Sequence, residues 1–304
     1  MSKHVAVLMG GWSAERDVSL DSGKACAAAL RECGHEVTEI MLTRDLRQLL
    51  DALEPHPDVV FNALHGRYGE DGTVQAVLDI LQIPYTHSGL LASAMAMDKV
   101  QAKKLLADAG IPSPEGTVVI REDLKNGPPL EPPCVIKPVN EGSSVGVQIV
   151  PDAETSLDLS LWSEGQMLLV EKFIPGRELT VAVMGDRALG VTELEPKSGF
   201  YDYEAKYTDG KTMHVCPALV DETIAEEAKR FAERAHRAFG CSGVTRSDFR
   251  YDDTGGEPGK LYMLEVNTQP GMTSLSLVPE QAAVAGISFA ALVDWMVEQA
   301  RFEH

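Results

Sequence analysis

Leu264-Glu265-Val266-Asn267-Thr268-Gln269-Pro270-Gly271-Met272 sets a carboxylate and a carboxamide two residues apart at the end of an apolar run, then turns on proline and glycine. Residues i and i+2 of a strand share a face, so Glu265 and Asn267 point the same way. Their oxygens are hard ligands, of the kind magnesium takes when it bridges nucleotide phosphates. A third oxygen donor lies upstream in Gly243-Val244-Thr245-Arg246-Ser247-Asp248-Phe249. Between the two runs, Asp252-Asp253-Thr254-Gly255-Gly256-Glu257-Pro258-Gly259 is rich in turn residues. The runs therefore read as an antiparallel pair. A hairpin centred near Gly256 sets Asp248 opposite Leu264 or Glu265. Asp248, Glu265 and Asn267 then converge, and a converging oxygen set suits metal-assisted phosphoryl chemistry.

Working outward, Val5–Met9 reads as a buried parallel strand that ends at Gly10-Gly11. Ser22–Cys33 reads as a helix, Glu36–Ile40 as a strand, Leu46–Leu53 as a helix and Val59–Asn62 as a third strand. Strands alternating with helices predict a parallel α/β sheet, with ligands beyond the carboxyl ends of its strands. A boundary is expected near Ser88–Met97. Beyond it, Lys99–Ala109 is helical, and Val118–Ile120, Val135–Lys137, Val145–Val150, Met167–Phe173 and Leu179–Met184 read as strands of a mixed α+β piece. From about Gly185 the chain holds a glycine- and tyrosine-rich loop over Ser198–Gly210, a helix over Glu222–Phe239, the hairpin and a last helix over Phe289–Arg301. The length exceeds one typical domain, so two or three are expected, and the changes of pattern near Ser88–Met97 and Gly185 divide the chain into 1–95, 96–184 and 185–304.

The formal net charge is -19, which argues against a nucleic-acid partner, since that requires a basic footprint. The same charge repels a nucleotide, so local lysines and metal ions must overcome it at close range. Cys26, Cys33, Cys134, Cys216 and Cys241 show no CxxC spacing and fit reduced thiols. No segment approaches the ~20 apolar residues of a membrane span. A cytoplasmic protein is expected.

Four further motifs can carry chemistry, and each has two readings. Lys137-Pro138-Val139-Asn140-Glu141-Gly142-Ser143-Ser144-Val145-Gly146 ends a strand with a lysine and opens a turn of small residues. It can cradle phosphate with backbone N–H groups, or it can be an ordinary hairpin. Glu171 and Glu178 flank Pro175-Gly176; they can take an adenine amino group and a ribose hydroxyl, or be exposed charges around a turn. Glu15, in Gly10-Gly11-Trp12-Ser13-Ala14-Glu15, can pair with a substrate ammonium or favour a helix N-terminus. His65, in His65-Gly66-Arg67-Tyr68-Gly69-Glu70, is a ligand-site candidate or a structural histidine.

Taken in order, these runs, with Met97-Asp98-Lys99, Tyr201-Asp202-Tyr203-Glu204-Ala205-Lys206-Tyr207 and Pro270-Gly271-Met272-Thr273-Ser274-Leu275-Ser276, resemble the D-alanine–D-alanine ligases. These are ATP-grasp carboxylate–amine ligases. The resemblance spans about Val5 to Pro279; Tyr68 departs from a frequent glycine without disturbing the fixed positions around it. It implies an α/β fold of ATP-grasp architecture, with an N-terminal parallel α/β domain and two mixed α+β domains clamping ATP.

Carried over residue by residue, the resemblance puts Lys99, Lys137 and Lys206 on ATP phosphates and Glu171, Ile174 and Glu178 around the adenosine. Asp248, Glu265 and Asn267 would hold two Mg2+ ions, with Mn2+ able to substitute. Glu15, with His65 nearby, would bind the first D-alanine, and Ser276 the carboxylate of the second. Arg246 and the N–H of Gly271 would stabilise an oxyanion. Ser143 and Tyr207 would link Glu15 to a mobile loop, 198–210, that excludes water. The implied reaction makes D-alanyl-D-alanine for peptidoglycan through an acyl phosphate, in a homodimer. D-serine or D-lactate acceptors are the alternatives within the family. A nucleotide-binding regulator is the alternative outside catalysis, and it conflicts with the retained Arg246, metal ligands and loop lysine.

Overall fold

In the computed structural model, which describes residues 1–142, 145–196 and 212–303, the opening apolar run forms β1 (His4–Gly10). It is the middle strand of a parallel sheet, between β2 (Glu36–Leu42) and β3 (Val59–Asn62). Helices cover both faces, so β1 reads as continuous hydrophobicity rather than alternation. Val5, Val7 and Met9 share one core with Cys26, Ala27 and Leu30 of α1 (Arg16–Glu32). Ala6 and Leu8 share another with Leu49 of α2 (Leu46–Ala52) and Leu78 of α3 (Thr73–Leu81).

Two expectations need correction here. α1 begins at Arg16, six residues before the predicted start, because Ser19 and Ser22 are buried polar ties on its inner face rather than turn residues. α3 has no place in the sequence reading: it starts after Gly72 at φ +90°, without a Ser or Asp cap to announce it.

Helices α4 (Leu90–Met97) and α5 (Lys99–Asp108) follow, so the expected boundary segment is itself helical. The Asp98 side chain caps α5 by accepting from the N–H groups of Val100 and Gln101. A second, antiparallel sheet has the order β4 (Gly116–Ile120), β7 (Met167–Lys172), β5 (Cys134–Pro138), β6 (Gln148–Val150).

The third sheet is also antiparallel. Its order is β10 (Thr212–Val215), β9 (Arg187–Pro196), β8 (Arg177–Met184), β11 (Val244–Asp252), β12 (Lys260–Asn267). β9 and β10 were not expected. On this sheet lies α6 (Glu222–Ala238), whose Ala228, Ala232 and Ala235 repeat at helical spacing and pack with Leu179, Val181, Phe249 and Met263.

The chain ends in α7 (Leu277–Val284) and α8 (Phe289–Glu298). The latter stops short of the expected Arg301 and returns to the first sheet, where Leu292, Val293 and Met296 join the core of β1 and α1. Among the described residues no single helix is long and apolar enough to cross a membrane.

Candidate active site

The hairpin forms as its sequence requires. Asp248 pairs with Glu265 and Arg246 with Asn267, so two carboxylates, a carboxamide and a guanidinium share one face. A β-bulge follows. Phe249 pairs with Met263, leaving Leu264 without a partner, and both Leu264 and Glu265 line the same cleft. The sequence allowed Leu264 or Glu265 opposite Asp248; the bulge selects Glu265 and turns Leu264 inward as well.

That cleft is walled by the second and third sheets. Val135, Lys137 and Glu171 come from one side, and Glu178, Asp248 and Arg250 from the other, with Ile174 in the connection between them. Glu171 is buried, on β7, and its carboxylate lies 2.5 Å from Nζ of both Lys137 and Lys103. Burial pushes this carboxyl up and the two ammonium groups pull it down; the balance lies below the ordinary glutamate value. Arg250 donates to the carbonyls of Ile174 at 3.0 Å and Gly176 at 2.7 Å, fixing the turn that follows β7. Lys99 opens α5 and donates to the Glu141 carbonyl at 2.5 Å. Burial lowers its ammonium to about 8, with Glu265 resisting the shift and Lys137 adding to it.

A second cleft adjoins the first. Glu15, His65, Glu70, Arg246, Asn267, Gly271 and Ser276 line it, and it shares Lys99, Glu141, Gly142 and Glu265 with its neighbour. Glu15 occupies the N-cap position of α1 without making a side-chain cap bond. Its carboxylate lies over Gly66, where an added Cβ would come within 2.9 Å of Oε2, and toward Gly142. Ser13 fastens this corner: its hydroxyl donates to the His65 carbonyl at 2.7 Å and accepts from the Glu15 N–H at 3.2 Å.

His65 is held at both ring nitrogens, by Glu70 Oε1 at 3.1 Å and Ser22 Oγ at 3.2 Å. The Glu70 carboxyl is raised by burial, against the bond to His65. Ser22 Oγ also accepts from the Met272 N–H at 3.2 Å, which ties α1 to the turn after β12. In that turn Gly271 approaches Ser276 so closely that a Cβ would meet its Oγ at 2.9 Å. Ser276 leads into α7, whose amide-bearing N-terminus suits a carboxylate. Tyr68, at φ +71°, packs against Trp12 in a tilted pair, with ring centroids 4.9 Å apart.

The two clefts thus gather Glu15, His65, Lys99, Lys137, Glu171, Ile174, Glu178, Arg246, Asp248, Glu265, Asn267, Gly271 and Ser276. Ser143, Lys206, Tyr207 and the segment 198–210 lie outside the described residues. Among the described residues no group of three His, Cys, Asp or Glu forms a metal set. The oxygen-only trio of Asp248, Glu265 and Asn267 is the candidate, and its chemistry fits a hard divalent cation. Arg246 holds Asp248 through two 2.8 Å bonds, and Thr180 Oγ1 donates to it at 2.7 Å. Asn267 Oδ1 accepts from the Gln269 N–H at 2.8 Å. Ser13 stood in the glycine-rich motif without a role of its own, and Ser22, Lys103 and Arg250 escaped the sequence reading. These three act on another side chain or on backbone across a long sequence separation, a relation no local motif encodes.

Comparisons with known proteins give the family of the chain. Residues 47–88 match the family described as D-ala D-ala ligase N-terminus, and residues 105–298 the one described as D-ala D-ala ligase C-terminus. The chain is 61% identical to a D-alanine–D-alanine ligase of Paramagnetospirillum magneticum, covering 99% of each chain. It is 57% identical to one of Rhizorhabdus wittichii, covering 98% of this chain and 96% of the relative. Among solved structures it superposes with TM-score 0.81 on the ATP complex of the Bacillus anthracis D-alanine–D-alanine ligase, at 32% identity and covering 98% and 97% of the two chains. The VanG D-Ala:D-Ser ligase of Enterococcus faecalis gives TM-score 0.81 at 30% identity, covering 98% and 99%.

A cation-lined cleft between two antiparallel sheets, joined to a parallel α/β layer, makes this an ATP-grasp protein. Within that class the chain belongs to the D-alanine–D-alanine ligase family.

Proposed function

We propose that this protein joins two D-alanine molecules to D-alanyl-D-alanine, with ATP cleaved to ADP and phosphate, for a peptidoglycan precursor. One observation carries the reading: the nucleotide-side cleft and the cleft of Glu15, Arg246 and Ser276 share Lys99 and Glu265 as a common wall. A phosphoryl group can therefore pass from one bound molecule to the next without leaving the protein.

A carboxylate is a poor electrophile, and ATP converts it to an acyl phosphate. Lys99, Lys137 and Lys206 hold the phosphates, while Glu171, Ile174 and Glu178 receive the adenosine. Asp248, Glu265 and Asn267 hold two magnesium ions, or manganese in their place, which supply charge neutralisation at the transferring group. Glu15 orients the ammonium of the first D-alanine, with His65 beside it. Ser276 receives the carboxylate of the second D-alanine, whose amine attacks the acyl phosphate. Arg246 and the Gly271 N–H stabilise the oxyanion, a contribution whose loss typically costs about 10²–10³ in rate. Exclusion of water from the acyl phosphate is assigned in this proposal to Ser143, Tyr207 and segment 198–210, which lie outside the described residues.

The division at 1–95, 96–184 and 185–304, a homodimeric state and a cytoplasmic location complete the proposal. The test is turnover with ATP, magnesium and D-alanine, alone and with D-serine or D-lactate, with products identified by mass. ADP, phosphate and D-alanyl-D-alanine from D-alanine alone are expected. Faster turnover with a mixed acceptor would replace the second substrate. ATP binding without D-alanine-dependent ADP release would overturn the ligase reading.

A further inference from the structure

Glu171 receives two ammonium groups on one buried carboxylate, Lys137 at Oε2 and Lys103 at Oε1, each at 2.5 Å. The two lysines arrive differently. Lys137 lies diagonal to Glu171 across the β5–β7 pairing, where Val135 faces Glu171 and Lys137 faces Leu169. It lines the nucleotide-side cleft. Lys103 comes from α5, is not among the residues that line either cleft, and also donates to the Pro114 carbonyl.

An entering polyphosphate competes with Glu171 for Lys137, and several phosphate charges outweigh one carboxylate. Lys103 is left holding the carboxylate. On the remaining side β4 presses against it: Gly116 pairs with Glu171, and a Cβ there would meet Glu171 Cγ and the Val170 carbonyl, each at 2.8 Å. The carboxylate is thus fixed by a strand on one side and by an ammonium outside the cleft on the other.

We propose that Lys103 is a positioning residue for base recognition, holding the Glu171 carboxylate ionised and aimed at the 6-amino group of adenine once Lys137 has turned to the phosphates. The inference rests on the reading of Glu171 as the adenine acceptor. A 6-amino group donates to a carboxylate, whereas the 6-oxo group of hypoxanthine presents only lone pairs and is repelled. Without Lys103, and with Lys137 on phosphate, the buried carboxylate has lost both ammonium groups that touch it, and burial then favours its protonated form. A protonated acid donates to a 6-oxo group as well as it accepts from a 6-amino group. Lys103 therefore governs purine preference rather than the chemical step.

The experiment compares kcat/KM for ATP and ITP, at saturating D-alanine, in the native protein, Lys103→Gln, Lys103→Arg and Glu171→Gln. Lys103→Gln removes the charge while keeping a donor for the Pro114 carbonyl. The ATP-over-ITP preference is expected to fall at least about tenfold in Lys103→Gln, mainly through the KM for ATP, and to stay within about threefold of native in Lys103→Arg. An equal loss with both nucleotides, or an unchanged preference, overturns the role of Lys103. Should Lys103→Gln fail to fold, Lys103→Met, which keeps the aliphatic stem, is read in the same assay. Glu171→Gln separates the two readings. If it leaves the preference unchanged, Glu171 does not read the base and the inference falls with it. If it shifts the preference while Lys103→Gln does not, Lys103 alone is dismissed.

Discussion

Lys99 illustrates how a single residue can serve a ligand against the stability of the fold. Its ammonium is enclosed in the cleft and lowered to about 8 from 10.5. The folded chain therefore binds fewer protons than the unfolded chain between those two values. The destabilisation is complete below about 8 and vanishes as pH rises past 10.5. Lys99→Met should raise the unfolding free energy of the nucleotide-free protein at neutral pH by on the order of 2 kcal/mol, read as a higher urea midpoint. The gain should shrink near pH 10, and ATP affinity should fall. A lower midpoint at neutral pH would show that the Glu141 and Glu265 contacts outweigh the desolvation. The proposed role of Lys99 toward phosphates rests on the resemblance of its run to a motif. Its depressed titration does not, because enclosure depends on strands far away in sequence. The Asp248–Glu265 pair was legible for the opposite reason: one short hairpin brings it together, and strand alternation fixes its face.

At the scale of elements, α1 joins parts of the chain that sequence order keeps far apart. Ser19 Oγ accepts from the Gly10 N–H and donates to the Ala63 carbonyl, tying β1 to the residue after β3. Ser22 Oγ joins His65 to the Met272 N–H. Both serines are fully buried, so removing the hydroxyl unpairs two backbone groups at Ser19, and one backbone N–H and the His65 ring nitrogen at Ser22, at about 1–3 kcal/mol. Ser19→Ala and Ser22→Ala should therefore lower the unfolding free energy by similar amounts. Only Ser22→Ala should also lower kcat by about tenfold or more, because it alone loosens the turn that carries Gly271. Denaturant melts and steady-state rates on the two variants test this. Equal kinetic loss in both would reduce Ser22 to a fold residue. The sequence located the body of α1 through its alanine-rich stretch and missed its first turns, where buried serines look like loop chemistry. The same limit hid β9, because without the strands it pairs with on either side its burial has no visible cause.

Across the whole molecule, the parallel layer follows from a βαβ alternation that the chain displays openly, and the β11–β12 hairpin from two strand runs around a turn. The sorting of the remaining strands into two antiparallel sheets is not displayed in that way, since β9 and β10 carry no such pattern. What the pattern does not display is the return of the chain end to its beginning. Tyr85 bridges to Val60 on one side and Arg301 on the other, with Tyr85 and Arg301 exchanging backbone bonds at 3.2 and 3.3 Å. The Glu303 N–H adds a bond of 2.9 Å to Asp79. From this edge a series of bonds runs to the site. The Thr86 N–H donates to the Val60 carbonyl at 3.0 Å, and Thr86 Oγ1 accepts from the Asn62 N–H at 3.0 Å. Asn62 Nδ2 donates to Gln269 Oε1 at 2.8 Å, and the Gln269 N–H donates to Asn267. Removing residues 300–304 should expose Tyr85, now 1% accessible, and lower the unfolding free energy by about 2–4 kcal/mol. The KM for D-alanine should rise more than the KM for ATP, because Asn62 and Gln269 also donate to the Gly69 and Leu64 carbonyls on either side of His65, and not to Lys137 or Glu171. Urea unfolding and paired KM measurements on the truncated chain decide it. An unchanged midpoint, or a loss confined to ATP, would mean that the edge contributed by Arg301 is dispensable and that the parallel layer holds the substrate side without it.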